Sequence, residues 1–149
     1  MARRGKLPMV VEMTQVQRVR RLGAEAAMAE AALASRKADE AEREAAAAAV
    51  AAREDWAEHL AGATFAPEMA LALSGRFLAR VGEETEAAAG ARNAQSDHVE
   101  KQQAWQRLEA VVRRSEQSIR QLRRGEERRK AEKRLAEVGD RTTYDWSRR

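Results

Sequence analysis

The chain has 149 residues, of which 35% are charged and only 4% aromatic. That leaves too little bulky apolar material for a conventional globular core, so an elongated helical form is the expected alternative. The formal charge is +4 and there is no cysteine, which excludes disulfides and thiolate metal sites while permitting acidic partners without requiring them.

Taken in chain order, the N-terminal run from Met1 to Val11 carries an apolar stretch too short for a signal-peptide core, and Glu12 and Gln15 follow it. No segment approaches the roughly 20 apolar residues needed to span a bilayer, so a cytoplasmic protein is expected. Alanine, Glu and Arg dominate, side chains that lose little rotamer freedom in a helix, whereas Ile, Tyr and Thr are scarce, so no sheet is expected. The two prolines, Pro8 and Pro67, sit where helices can begin. The first helix is placed at about 11–61, with Gly62 suited to a left-handed closing position and Thr64 to capping the next helix across a turn at 62–67. The second runs over about 68–138. Gly75, Gly82 and Gly90 predict a kink or short break between 75 and 92, and Gly139 is expected to end the helix, leaving 139–149 as a flexible tail.

The fold class that follows is all-α: a long antiparallel two-helix coiled-coil hairpin forming a single domain. Trp105, Val112 and Ile119 recur every seven residues, with Leu108, Ser115 and Leu122 between them, which is a coiled-coil seam. On the first helix Val16, Val19, Leu22, Ala26, Ala29 and Leu33 form a stripe of the same type. A fold about residues 64–66 pairs positions whose numbers sum to about 130, so Leu22 is expected to face Leu108, Val19 to face Val111 and Val112, and Val11 to face Ile119. Residues beyond about Arg120 then have no partner and form a charged overhang.

No nucleophile-and-base arrangement and no phosphate-binding glycine loop occurs, and His59 and His98 lie on different helices, so no catalytic residue, cofactor site or metal site is expected. Pairs such as Arg36 with Glu40 and Glu109 with Arg113 read as ordinary helix-surface pairs. The segment Arg107–Arg134 is more unusual, because eleven cations against five carboxylates give it a net +6, more than the whole chain carries. It reads either as a solvated helix face or as a surface for an acidic protein. Nucleic acid is the weaker reading, since stacking aromatics are absent and the interspersed Glu residues would face phosphates. Around the turn, Phe65, Leu71, Phe77, Leu78 and Val81 exceed what one seam can bury, so part of this cluster is expected as an exposed docking patch, with Trp56 near the same end.

Nearly the full length resembles the FliJ family, the small stalk proteins of the flagellar type III export apparatus, and their injectisome counterparts. The resemblance is carried by the N-terminal helix with Leu22, Ala26, Ala29, Leu33 and Ala41, the short turn, the Arg76-Phe77-Leu78 segment, and the basic C-terminal helix containing Gln103-Ala104-Trp105-Gln106-Arg107-Leu108-Glu109. It implies a non-catalytic stalk that inserts its helix ends into the hexameric export ATPase ring, touches the export gate membrane protein, and binds export chaperones, without inserting into the membrane itself. Carried onto this chain, the ring contact falls on Arg18, Arg20, Arg21, Arg120, Arg123, Arg124, Arg128 and Arg129, and the gate contact on Phe77 and Val81. The implied location is cytoplasmic, peripheral to the inner membrane through the export apparatus. Two departures stand out: Val81 replaces a larger family residue, and the family's acidic ending is only loosely echoed by Glu137, Asp140 and Asp145, with Tyr144 and Trp146 unmatched. A polyanion-binding coiled coil and a homodimeric scaffold remain the alternatives.

Overall fold

A computed structural model describes residues 6–147. Two helices account for nearly all of them: α1, Lys6–Ala61, of 56 residues, and α2, Pro67–Ser147, of 81 residues. There is no strand among the described residues. The chain is an all-α helical hairpin, as its composition predicts.

The boundaries differ from the expected ones at three places. Helix α1 begins at Lys6, before Pro8, because a proline is tolerated in the first turn, where its missing N–H has no partner to lose. Helix α2 is unbroken through Gly75, Gly82, Gly90 and Gly139, so the expected break at 75–92 is replaced by helix, as is the expected flexible tail at 139–149 as far as Ser147, with 148–149 outside the described residues. A lone glycine costs a helix about 1 kcal/mol, which a long helix without an internal proline absorbs. At the turn, no described glycine has a positive φ, so Gly62 does not close α1 in the left-handed form. The first backbone bond of α2 runs from the Ala70 N–H to the Ala66 carbonyl at 3.0 Å, making Ala66 rather than Thr64 the residue at the helix entrance.

The contacts gather into two units. Of the described residues, the first contains 6–23 and 106–147, the second Ala24–Trp105. In both, the inward positions of the helices recur every seven residues. In the second unit α1 presents Ala24, Met28, Ala31, Ser35, Ala38, Glu42, Ala45, Ala49, Ala52, Trp56 and His59, and α2 presents Ala70, Leu73, Phe77, Arg80, Glu84, Ala87, Ala91, Ala94, His98, Lys101 and Trp105. All are buried or half-buried. Alternation of threes and fours at this regularity is the coiled-coil heptad. The core is alanine: Ala31, Ala49, Ala52 and Ala91 are buried, and Ser35 among them donates to the Gln95 side-chain oxygen at 2.9 Å. The Trp105 Nε1 is buried without an acceptor.

In the first unit α2 contributes Leu108, Val112, Ser115, Ile119 and Leu122, the seam expected of it, with Val112 only 6% exposed. Opposite them stand Leu7, Val10, Thr14, Gln17 and Arg21. Thr14 is buried, and its hydroxyl donates to the Val10 carbonyl at 2.7 Å, satisfying within the helix a group that would otherwise be costly to bury. The axial register agrees with the turn-based expectation: Arg21 meets Glu109 and Ser35 meets Gln95, pairs that both sum to 130, while Arg18 meets Glu116 at 134. The rotation of α1 does not. Val16, Val19, Leu22 and Leu33, expected in the seam, are exposed, Val19 at 69%. They share a helix face, but it is the face turned away from α2.

Candidate functional site

Two surfaces emerge, one in each unit, and neither is a pocket. In the first unit the predicted arginines divide into two groups. Arg18 donates to Glu116 from Nη2 at 2.7 Å and from Nε at 3.2 Å, and Arg21 donates to Glu109 at 3.0 Å from a half-buried seam position. Glu109 also accepts from Arg113 at 3.0 Å, the within-helix pair expected from the spacing, whereas no ion pair joins Arg36 to Glu40. The Arg21 hydrogen bond, and after it the Arg113 one, holds the Glu109 carboxyl below the usual carboxylate range. Arg18 and Arg21 therefore knit α1 to α2 rather than standing free for a partner.

The second group is different. Arg20, Arg120, Arg123, Arg124, Arg128 and Arg129 are all exposed. From Glu126 to Arg141 every residue of α2 is exposed; continuing the Arg18–Glu116 register, Lys6, the first described residue of α1, lies level with about residue 128. The overhang thus starts near 126 rather than at Arg120, since α1 is longer at its N-terminal end than expected and still covers Ile119 and Leu122. A shallow groove of about 410 Å³ lies where the two helices part, lined by Val11, Thr14, Arg18, Ile119, Arg120 and Arg123.

In the second unit the turn is held by aromatic contacts. Trp56 and Phe77 stack with centroids 5.8 Å apart, and His59 tilts against Phe65 at 6.0 Å. The His59 Nε2 lies 3.1 Å from the Ala66 carbonyl, which can only accept, so the ring nitrogen donates there. Arg76 bridges to Asp55 at 3.5 Å. Of the two residues the resemblance assigned to the gate contact, Phe77 is half-buried against Trp56, whereas Val81 is at the edge of exposure. Leu71 and Leu78 are more exposed than either, Leu78 at 68%, so the apolar exposure near the turn is led by these two leucines.

Among the described residues no helix is long and apolar enough to cross a membrane, and no group of three His, Asp or Glu side chains could hold a metal ion. No family model matches the chain, and no curated protein or solved structure does so either.

Two features escaped the sequence reading. The seam of α1 in the first unit is polar beyond Val10, with Thr14, Gln17 and Arg21 inside and Val16 and Val19 outside. A signal existed in the seven-residue series Leu7, Met28, Ala49 and Trp56, but alanine is too frequent in α1 for the series to stand out. The second feature is the helical C-terminal segment with exposed Leu135, Val138 and Trp146.

Proposed function

We propose that this chain is a non-catalytic stalk or coupling protein of the flagellar type III export apparatus. Its basic α2 extension binds the hexameric export ATPase ring, and the apolar patch by the turn binds the cytosolic part of the export gate. The observation that carries this reading is the uninterrupted exposure of α2 from Glu126 to Arg141, preceded by exposed Arg120, Arg123 and Arg124. A helix that leaves its partner and continues as a charged, fully solvated rod buries nothing of its own, and its cations are available to an acidic lumen. Arg18 and Arg21 are engaged with Glu116 and Glu109, so on the α1 side Arg20 remains as the ring-facing cation. At the turn, Val81 makes the gate contact together with Leu78, while Phe77 supports them through Trp56. The mechanism is positional: a stiff asymmetric rod biases the subunits of a ring without performing chemistry.

Co-purification with a hexameric export ATPase tests this. Binding is expected, and Arg120→Glu/Arg124→Glu abolishes it while leaving helix content unchanged. Unchanged binding contradicts the assignment of the ring contact. Submicromolar binding to duplex DNA with a steep salt slope, in place of ATPase binding, identifies a polyanion-binding coiled coil instead.

A further inference from the structure

The two units carry opposite charge. The sequence of the first, 6–23 and 106–147, holds sixteen cations against nine carboxylates, a net of +7. The second, Ala24–Trp105, holds eight against fifteen, a net of −7. The chain ends add Arg3, Arg4, Arg148 and Arg149 and no carboxylate, so the full sequence outside 24–105 carries +11, and the modest +4 of the whole conceals the segregation. Ion pairs inside a unit, such as Arg18–Glu116 in the first and Arg76–Asp55 in the second, remove one charge of each sign and leave both nets unchanged. The uncompensated charges are ordered along the helices. In the second unit Glu40, Glu44 and Glu58 fall on one face of α1 at four- and fourteen-residue spacings, and Glu86 and Glu100, fourteen apart, on one face of α2. In the first unit Arg107, Arg114 and Arg128 lie at multiples of seven along α2, with Arg120 and Arg124 on the adjoining face. All ten are exposed, and none has an ion pair or a side-chain hydrogen bond among the described residues. The lengths match as well: the helical segments of the second unit are each about 57 Å long, and α2 within the first is about 63 Å.

A partner that fits both units has to carry both signs in separate blocks. A nucleic acid or an anionic membrane suits the first unit and is repelled by the second, and a basic protein does the reverse. A second copy of the chain satisfies both. We propose that the acidic second unit of one molecule docks along the basic first unit of another, and that the reciprocal contact forms at the same time, closing a two-fold dimer. A one-sided contact leaves one acidic and one basic unit unmatched, whereas closure matches all four. The attraction acts between solvated charges, so it selects the pairing that sets unlike units side by side and is weakened by salt. This inference is independent of the proposed function, since it requires only the chain itself. Arg120 and Arg124 serve in both, so the dimer withholds them from any other acidic partner.

Sedimentation equilibrium of the full chain from roughly 1 to 300 μM, in about 20 and about 500 mM NaCl, tests it. A reversible monomer–dimer equilibrium is expected at low salt, at least about tenfold weaker at high salt. Arg107→Glu/Arg114→Glu and Glu40→Lys/Glu44→Lys should each weaken the low-salt dimer at least about tenfold, because each sets like charges against one another in both contacts, while circular dichroism stays helical because all four residues are exposed. None of the four belongs to the ring contact, so binding to the ATPase is a separate readout and the two proposals fail separately. The decisive step is to mix the two variants. The reversed first unit of one then meets the reversed second unit of the other, and the unaltered units meet as in the wild type. Both contacts regain unlike charges, and a mixed dimer appears that neither variant forms alone. A chain that stays monomeric at low salt, a dimer indifferent to salt or to both variants, open-ended growth beyond the dimer, or loss without recovery on mixing would each overturn the proposal.

Discussion

The second unit is closed by alanine and the first by larger and more polar side chains. Of the five buried apolar residues among those described, Ala31, Ala49, Ala52 and Ala91 belong to the second unit and Val112 to the first. Alanine lets two helices approach closely and has the best helix propensity, but each methyl removes little area from water, so length and backbone propensity carry much of the stability there. The first unit sets Val112, Leu108 and Ile119 against Thr14, Gln17 and Arg21, adds the Arg18–Glu116 and Arg21–Glu109 bridges, and leaves Val16, Val19 and Leu22 of α1 outside. The second unit has a seam lined mainly by alanine. The other has a more polar seam and carries exposed Val16, Val19 and Leu22 on its outer face.

This contrast breaks most visibly at Val112. Val112→Asp buries an unpaired carboxylate and should cost about 3 kcal/mol or more, whereas Val19→Asp on the same unit should stay within about 0.5 kcal/mol. Urea denaturation of the two variants measures the difference, and similar losses would mean that α1 is rotated as the sequence stripe suggested. Next in size is overpacking of the alanine seam. Ala52→Leu should cost about 1–3 kcal/mol, because a neighbour fitted to a methyl must move to admit an isobutyl group. A stabilising Ala52→Leu would show that the second unit has room its alanines do not fill.

Smaller and opposite in sign is Gly75→Ala. A Cβ there meets nothing within 4 Å and α2 is helical throughout, so the change should raise stability by about 0.5–1 kcal/mol, read as an increase in Tm. The smallest effect concerns pH. Because Arg21 and Arg113 lower the Glu109 pKa in the folded state, the stabilisation is present above the unfolded carboxylate pKa and is lost as pH falls through the folded one. Thermal melts of the wild type and Glu109→Gln should therefore differ near neutral pH and converge in acid.

Legibility in the sequence followed bulk. The α2 seam was readable because Trp105, Val112 and Ile119 are large and seven apart, and the axial register because a short turn leaves little freedom in where opposing residues meet. The rotation of α1 was not readable. Val16, Val19 and Leu22 are more apolar than Thr14, Gln17 and Arg21, and three- and four-residue spacing shows only that residues share a face, without saying which face meets the partner helix. Arg21 belongs inside because its long stem packs while its head reaches Glu109, a pairing visible only once the helices are placed. The helix beyond Gly139 was missed for a related reason: a glycine is a weak stop when neither proline nor a left-handed conformation supports it. At the turn, the cluster was legible as an apolar excess, but the stacking of Phe77 on Trp56 decided which members were left outside.

The outward rotation of α1 is the central claim, since the polar seam and the exposed stripe both depend on it. With no native cysteine, single-cysteine variants report it directly. Val19→Cys and Val112→Cys make the same chemical change in the same unit, at 69% and 6% exposure. At dilution sufficient to keep the chain monomeric, maleimide should label Val19→Cys at the rate of a free thiol and Val112→Cys many times more slowly. Protection of Val19→Cys, or equal rates at the two positions, would contradict the account.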